Sequence, residues 1–235
     1  MVAALLLGAA GAPDAGLPGI GGADPRVRVA ATVPPWSALA RLQIPGAARC
    51  TAFLVAPRTA LTAAHCLYVR RAGHFAPAGS VHLLAGYAAG GFSGHAVAVA
   101  YRLAPGFDPR ARPAAFGADI AVLTLDRPLA APDRVLGLAD AVAGPVALGG
   151  YSQDRAEVIE ADLGCRLLGR AADAGGRALL RHGCTGTRGT SGAPLLARAA
   201  GGGWQVVGLQ VAAARDGAGG LAVPAARLRA LLAGE

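Results

Sequence analysis

The stretch that decides how this chain is interpreted is Leu61-Thr62-Ala63-Ala64-His65-Cys66. An imidazole can take up and release a proton near neutral pH, so His65 is a candidate general base. Cys50 lies earlier in the chain, just before a predicted strand. A disulfide between Cys50 and Cys66 would fix the position of the ring. Taken alone, a histidine beside a cysteine is more often a buried structural residue.

The second motif is Gly117-Ala118-Asp119-Ile120-Ala121-Val122-Leu123, which puts an acidic residue at the start of an apolar strand. A carboxylate is costly to bury unless it is paired. Asp119 could accept a hydrogen bond from an imidazole N–H, orient the ring and stabilise its cation. By itself, an aspartate at such a place is more often a turn or cap residue.

The third motif is Cys184-Thr185-Gly186-Thr187-Arg188-Gly189-Thr190-Ser191-Gly192-Ala193-Pro194. A serine in a glycine-rich turn can be exposed, and the backbone N–H groups of Gly189 and Ser191 could converge on a developing oxyanion. Such donors are worth about 3–4 kcal/mol of barrier each. A serine hydroxyl needs a base to be a good nucleophile at neutral pH. Without the other motifs, this segment is equally well an ordinary loop.

Together, in the order His, Asp, Ser, the motifs resemble the trypsin/chymotrypsin family and its signatures T-A-A-H-C, D-I-A-L-L and G-x-S-G. The resemblance starts near Trp36 and points to the bacterial branch that includes glutamyl endopeptidases. It implies a serine endopeptidase in which His65 takes the proton of Ser191 and Asp119 holds His65. An α/β-hydrolase does not fit, because Ala193 replaces the glycine of its elbow and its triad order is Ser, acid, His.

The resemblance also implies an all-β fold, with two six-stranded antiparallel Greek-key barrels, the active site between them and a short C-terminal α-helix. The 35 glycines and 16 prolines suit tight turns between short strands. Prolines in Asp126–Asp133 exclude a central strand there. The expected division is 1–25 as leader and linker, 26–128 as the first barrel and 129–235 as the second. Leucines three and four apart in Pro224–Leu232 predict the closing helix.

Apolar runs bounded by Gly, Pro or Asp predict the strands. These runs are 52–56, 81–84, 96–99, 120–125, 145–148, 158–161, 179–182 and 204–211. The hydrophobic content of 54% with 15% charged residues agrees with a packed core.

The four cysteines form no C-x-x-C pair, so a structural zinc is not expected. Their even number predicts two disulfides, which persist in oxidising compartments and point to export. Besides Cys50–Cys66, the expected pair is Cys165–Cys184, which would brace the Ser191 loop as the family commonly does. Met1–Ala12 is either part of a signal segment or a flexible tail. No run reaches the roughly 18 apolar residues of a membrane anchor.

The formal net charge is +8, and all 22 basic residues are arginine. The arginines are scattered, with no aromatic platform between them, so nucleic acid is not an expected partner. The expected partner is a polypeptide substrate, bound by a monomer. No cofactor site is recognised, and the D-x-[DN]-x-[DN]-G calcium loop is absent from the sequence.

Activation is expected to differ from that of trypsin. Trypsin-like enzymes carry an aspartate immediately before the nucleophile, which pairs with a freshly cut N-terminus. Thr190 stands at that place here and cannot form an ion pair. Ile20-Gly21-Gly22 faintly resembles the new N-terminus of the family, but without the carboxylate this switch is not expected.

The substrate pocket is expected to have Thr185 and Gly186 at its base and Gln210-Val211-Ala212-Ala213 along its wall. Thr185 is not the carboxylate that selects arginine or lysine in trypsin, and Gln210 stands where glutamyl endopeptidases have a histidine. A neutral pocket for small or medium side chains is the main expectation. Arg188 and Arg215 could line its rim and favour acidic substrates, which is the alternative.

Two other functions remain open. One is a non-catalytic basic binding protein on the same fold, whose activity would survive Ser191→Ala. The other is a hydrolase of small acyl esters, which relative rates on ester and peptide libraries would reveal.

Overall fold

The computed structural model describes residues 17–141 and 143–235, so the signal segment expected at Met1–Ala12 lies outside the described residues. Within them the chain is mostly strand. The strands are β1 (Val27–Arg28), β2 (Leu39–Ile44), β3 (Ala48–Ala56), β4 (Thr59–Thr62), β5 (Tyr68–Val69), β6 (His74–Phe75), β7 (His82–Ala85), β8 (Gly94–Leu103), β9 (Ala121–Leu125), β10 (Gly137–Leu138), β11 (Pro145–Gly150), β12 (Glu160–Ala172), β13 (Ala178–His182), β14 (Pro194–Arg198), β15 (Trp204–Ala213) and β16 (Gly220–Pro224). One α-helix, α1 (Ala225–Ala233), follows β16. Short 3-10 helices lie at Trp36–Ala38, Ala64–Leu67, Ala78–Ser80, Arg112–Ala118, Pro132–Arg134 and Gln153–Arg155.

The first barrel closes through six strands in the order β2-β3-β4-β9-β8-β7, all paired antiparallel. In β7, half-exposed residues alternate with the buried Leu83 and Ala85, as expected for a strand with one face on a core. Phe53 of β3 is fully buried inside the barrel. β5 and β6 form a separate two-stranded hairpin.

The second barrel is the ring β12-β11-β14-β15-β16-β13, which the pairing of β12 with β13 closes. Outside this ring, β10 pairs parallel with β15 and β1 pairs with β12. β1 lies in the range 26–128 expected for the first barrel, yet it pairs with the second barrel, because the chain runs along that barrel before it enters the first. Two closed six-stranded antiparallel barrels with a C-terminal helix confirm the fold expected from the sequence.

The connection between β9 and β10 runs along the first barrel, where the N–H of Leu136 donates to the carbonyl of Leu54 over 2.9 Å. Pro128 and Pro132 lie in this connection and have no N–H to give to a strand ladder. The break in strand structure therefore falls where the prolines predicted it.

α1 packs on β15 and β16 through a buried stripe that includes Leu228 and Leu231. These two leucines are three positions apart, so they share one face of the helix. Arg102 of β8 donates to the carbonyl of Leu231, which ties the first barrel to the end of the helix. Within 17–141 and 143–235, no helix has both the length and the apolar character needed to cross a membrane.

Two disulfides brace the fold, and they are the expected pairs. Cys50–Cys66 joins β3 to the 3-10 helix Ala64–Leu67, and Cys165–Cys184 joins β12 to the segment after β13. Removing such a bond typically costs about 2–5 kcal/mol of stability. Each disulfide therefore holds one of the segments that carry the sequence motifs.

Candidate active site

His65 lies in the 3-10 helix Ala64–Leu67, directly after β4. Its backbone N–H donates to Asp119 Oδ1 over 2.8 Å, and its ring Nδ1 lies 2.7 Å from Asp119 Oδ2. The neighbouring Cys66 is bonded to Cys50 on β3, which fixes this helix against the barrel. With the proton on Nδ1, the ring donates to Asp119 and leaves Nε2 as an acceptor.

Asp119 is a fully buried carboxylate directly after the 3-10 helix Arg112–Ala118. Besides the two donors of His65, its partner is the guanidinium of Arg112, whose Nε lies 3.4 Å from Oδ2. Arg112 also donates from Nη2 to the carbonyl of Val211 on β15 over 2.9 Å. Burial lowers the pKa of Arg112, and the charge of Asp119 acts in the opposite direction. Arg112 thus partly neutralises the charge of Asp119 and connects the segment that carries both residues to the second barrel.

Ser191 lies in the turn between β13 and β14, where it contacts both barrels. Its carbonyl oxygen accepts from the N–H of Thr51 on β3 over 3.0 Å, and Gly192 donates to the carbonyl of Gln210 on β15 over 2.7 Å. Gly192 has φ of +84°. A Cβ there would lie 2.2 Å from the oxygen of Thr51 and 2.4 Å from Oγ1 of Thr62, so only glycine fits.

Gly192→Ala is therefore expected to lower the free energy of unfolding by about 3 kcal/mol or more, through both the positive φ and the clash with Thr51. Gly176 is the matched control, because its φ is +75° and nothing lies within 4 Å of its Cβ position. Gly176→Ala should cost only about 1 kcal/mol. Urea denaturation measures both variants. Equal losses would show that the contact with Thr51 does not restrict residue 192.

His65 and Ser191 both line a cleft of about 750 Å³ that has walls from the two barrels. Sγ of Cys66 lies 3.8 Å from His65 Nε2 and 3.8 Å from the carbonyl oxygen of Ser191. Among the described residues, no hydrogen bond joins the Ser191 hydroxyl to the imidazole. Catalytic hydrogen bonds are often long before substrate binds. The structure thus brings the three candidate residues to one cleft, with the contact between Asp119 and His65 already formed.

The turn that carries Ser191 contains two backbone N–H groups of interest, those of Gly189 and Ser191. The carbonyl of Arg188 accepts from the N–H of Gln153 over 2.6 Å. The N–H of Gly189 belongs to the same trans peptide and points the opposite way, away from Gln153. In the part of the chain that the structure describes, neither this N–H nor that of Ser191 donates to a protein acceptor. Both are therefore available to an oxygen of a bound molecule.

Thr190 closes this turn with its own side chain. Its N–H and its Oγ1 both donate to the carbonyl of Thr187, over 3.1 and 2.6 Å. Ile20, in the segment that faintly resembles a family N-terminus, donates its N–H to the carbonyl of Leu17 over 3.1 Å. The turn that carries Ser191 is thus ordered by a hydroxyl at the place where trypsin-like enzymes have a carboxylate.

Of the residues assigned to the substrate pocket, Gln210, Val211, Ala212 and Arg188 line the cleft. Gln210 Oε1 accepts from His182 Nε2 over 2.6 Å, and Gln210 Nε2 donates to the carbonyl of Ala212 over 3.0 Å. Burial lowers the pKa of His182 to about 4, although the bond to Gln210 acts in the opposite direction. The ring is therefore neutral at pH 7, and so is this wall of the pocket.

The stability of the protein is expected to fall more steeply between pH 6.5 and 4 than that of His182→Gln. An unfolded histidine takes up its proton near pH 6.5, whereas His182 in the fold does so only at about pH 4. Acid therefore favours the unfolded state, by about 3 kcal/mol over this window. Glutamine can still donate to Gln210 but does not titrate. Denaturation at a series of pH values measures the difference, and parallel curves would contradict it.

Thr185 and Gly186, expected at the base of the pocket, are not among the residues that line the cleft. The N–H of Thr185 donates to Asp162 Oδ2 over 2.9 Å, and the N–H of Gly186 donates to the carbonyl of Gly19 over 3.1 Å. Pro18, from the same N-terminal segment as Gly19, lines the cleft instead. The segment before β1 therefore covers Gly186 and adds to the wall, which no sequence motif indicated.

Arginine dominates the charged residues of the cleft. Six arginines line it, and no aspartate or glutamate does in the described ranges. These arginines are Arg49, Arg70, Arg71, Arg112, Arg188 and Arg215. Apart from Arg112, none of them has a carboxylate of a described residue within 4.0 Å. Because the guanidinium is always charged near neutral pH, the cleft is strongly positive.

One grouping of potential metal ligands occurs in the described parts of the chain, formed by Cys50, His65 and Cys66. Its two sulfur atoms are bonded to each other, so neither can act as a thiolate ligand. The ring nitrogens of His82 and His95 lie 2.9 Å apart on adjacent strands and belong to the surface of the first barrel.

Comparisons with known proteins identify the family of this chain. A family model described as Trypsin matches residues 26–230. Among solved structures, the chain is similar to one titled "Structure of Glu endopeptidase in complex with MPD", with a TM-score of 0.72 and 21% identity over 92% of this chain and 98% of that chain. No curated protein matches the sequence. The family model covers most of the chain and confirms the resemblance, so the chain belongs to the trypsin family, whose members are peptidases.

Proposed function

We propose that this protein is a serine-type endopeptidase in which His65, Asp119 and Ser191 are the catalytic residues. The observation that carries the proposal is the contact of 2.7 Å between His65 and the buried Asp119, beside a cleft that Ser191 also lines. Membership of the trypsin family supports peptide hydrolysis. A binding role alone would not require a buried carboxylate that orients a histidine next to a serine.

The reaction would begin with His65 Nε2 removing the proton of Ser191 while Oγ attacks the carbonyl carbon of the peptide bond. The imidazolium donates through Nδ1 to Asp119, whose negative charge stabilises it. It then gives the proton from Nε2 to the leaving amine, the C–N bond breaks and an acyl-enzyme forms on Ser191. A water molecule, deprotonated by His65 in the same way, releases the carboxylic acid product and regenerates the serine.

The N–H groups of Gly189 and Ser191 would bind the negatively charged oxygen of the tetrahedral intermediate. The direction of the first donor depends on the bond between the Arg188 carbonyl and Gln153. Gly189 has φ of +95°, and a Cβ there would lie 2.2 Å from the carbonyl oxygen of Tyr151. The peptide is therefore tightly held before substrate arrives. Donors placed in this way contribute about 3–4 kcal/mol each to catalysis.

We also propose that the protein acts on polypeptides outside the cytoplasm. Its two disulfides support this, because such bonds persist in oxidising compartments. Fractionation of expressing cells, with detection in the cytoplasm and in the exported fraction, tests the proposal. Accumulation of the oxidised protein in the cytoplasm alone would contradict it.

A fluorophosphonate probe tests the catalytic proposal directly, because it reacts covalently with an activated serine. The expected result is one label per chain, found by mass spectrometry on the peptide that contains Ser191. Ser191→Ala should not be labelled, whereas Ser80→Ala should be labelled like the wild type, because Ser80 does not line the cleft. An unlabelled, fully processed protein that is as inert as Ser191→Ala on a broad peptide library would overturn the proposal. Turnover of small esters without hydrolysis of any peptide in the library would instead favour an esterase.

A further inference from the structure

Positive charge lies on both walls of the cleft, which we call the first-barrel side and the second-barrel side. On the first-barrel side, the cleft shares its lining with a hollow formed by residues 43–49 and Gln153. On the second-barrel side, it shares lining with a hollow formed by Phe116, residues 212–215 and their neighbours. Arg49 belongs to the first hollow and Arg215 to the second. A polypeptide lying in the cleft would thus meet a cation from each barrel side.

The other arginines extend the same two groups. Arg71 donates to the carbonyl of Gly46 over 3.2 Å, which places its guanidinium on the first-barrel side together with the preceding Arg70. Arg112 is bonded to Val211 on the second-barrel side. Arg188 is exposed and immediately precedes Gly189, so it lies close to the turn that carries the nucleophile. The charge is therefore spread along the cleft and not confined to one point.

Arg49, Arg70, Arg71, Arg188 and Arg215 are exposed and have no carboxylate of a described residue within ion-pair distance. Like charges gathered along one groove repel each other, and an anionic ligand relieves that repulsion. A groove lined by one sign of charge also concentrates the field and speeds the arrival of oppositely charged molecules. The cleft is thus electrostatically complementary to a negatively charged chain.

The wall of the pocket next to Ser191 differs from this rim, because Gln210 and the neutral His182 behind it carry no charge. We infer that the preferred substrate is a polypeptide with acidic residues on both sides of the cleaved bond and an uncharged residue in the pocket itself. The inference rests on the proposed function. This preference for acidic flanking residues differs from a preference for an acidic residue inside the pocket. All of the arginines that line the cleft lie on its exposed rim, except Arg112.

The test uses matched peptides that share the same residue in the pocket and differ in the flanking residues, which are acidic, amide-containing or basic. The expected order of kcat/KM is acidic, then neutral, then basic, with acidic flanks about 10-fold better than neutral ones at low ionic strength. Salt screens exposed charges, so this ratio should fall to about 2-fold in 0.5 M NaCl. Equal rates for acidic and neutral flanks at low salt would overturn the inference.

Two variants assign the effect to each side of the cleft. Arg49→Gln and Arg215→Gln should each lower the ratio of kcat/KM for acidic over neutral flanks about 3-fold. Each variant should do so only for acidic residues on one side of the cleaved bond. Arg170→Gln is the matched control, because Arg170 is exposed on β12, outside the cleft, and its loss changes the net charge equally. An effect of Arg170→Gln as large as the other two would assign the preference to net charge and contradict a role of the cleft.

Binding to Ser191→Ala protein separates this inference from the proposed function, because it needs no turnover. Fluorescence anisotropy with labelled acidic and neutral peptides should show at least about 5-fold tighter binding of the acidic one at low salt. Selective binding by a protein that neither hydrolyses peptides nor reacts with fluorophosphonate would leave the inference on charge standing and remove the proposed function. Hydrolysis without selectivity would do the reverse. Tighter binding of a single-stranded oligonucleotide of equal charge would reject the polypeptide as the preferred polyanion.

Discussion

Ser191→Ala is expected to lower kcat/KM for every cleaved peptide by about 10⁵-fold or more, because alanine removes the only atom that can form the acyl-enzyme. The fold should remain intact. The turn is held by the Ser191 carbonyl, which accepts from Thr51, and by Gly192, which donates to Gln210. None of these contacts uses the hydroxyl. The free energy of unfolding should therefore change by no more than about 0.5 kcal/mol.

Steady-state kinetics and urea denaturation of Ser191→Ala test these two statements together. Ser80→Ala is the control, since the Ser80 hydroxyl donates to the nearby carbonyl of Pro77 away from the cleft. It should retain full activity. A well-folded Ser191→Ala protein that keeps more than a few per cent of the wild-type rate would mean that another residue forms the covalent intermediate or that none forms.

The residues at the centre of the candidate site could be predicted from the sequence because each lies in a short motif with a recognisable local context. His65 follows a strand and precedes a cysteine, Asp119 shortly precedes the apolar strand β9, and Ser191 lies in a glycine-rich turn. The three motifs also occur in the order His, Asp, Ser, which is the order of the trypsin/chymotrypsin family. Their joint occurrence therefore indicated the site more strongly than any one motif alone. What the sequence could not supply is the distance between them, which depends on how the two barrels face each other.

Residues that act through long-range contacts were missed. Arg112 reaches Asp119 and Val211 only after the 3-10 helix and β15 are packed together. Gln153 acts through its backbone N–H, which carries no side-chain signature. The expectation for Thr185 and Gly186 differs from the structure for a similar reason. It relied on the comparison with trypsin-like enzymes, whereas the N-terminal segment that covers Gly186 is far away in sequence.

Strand positions were predicted better than strand lengths. β12 runs from Glu160 to Ala172, although only its first residues read as a strand. The remainder contains Gly164 and Gly169, which lower intrinsic strand propensity, and the register shifts between Leu167 and Gly169. Pairing with β11 on one part and β13 on another outweighs that propensity. β1 is only two residues long and depends entirely on β12, so no periodic pattern marks it.

Asp119→Asn is expected to lower kcat by about 10⁴-fold at neutral pH while leaving the other groups of the site in place. The carboxylate accepts from two donors of His65, its backbone N–H at 2.8 Å and its ring Nδ1 at 2.7 Å. An asparagine has only one acceptor oxygen. If that oxygen keeps the backbone N–H, the amide NH₂ faces Nδ1, which must then be unprotonated. The proton moves to Nε2, which can no longer accept the proton of Ser191.

The opposite orientation of the amide does not rescue the variant, because its NH₂ would then face the backbone N–H of His65, donor against donor. Neutralising Asp119 also leaves Arg112 without its counter-charge, so a lower unfolding free energy is expected as well. Asp126→Asn is the matched control: its carboxylate also accepts a backbone N–H, that of Val97 at 2.9 Å, and pairs with Arg127, but outside the cleft. It should change kcat less than about 2-fold. A folded Asp119→Asn protein within 10-fold of wild-type kcat would show that the carboxylate does not set the tautomer of His65, and would remove Asp119 from the proposed catalytic residues.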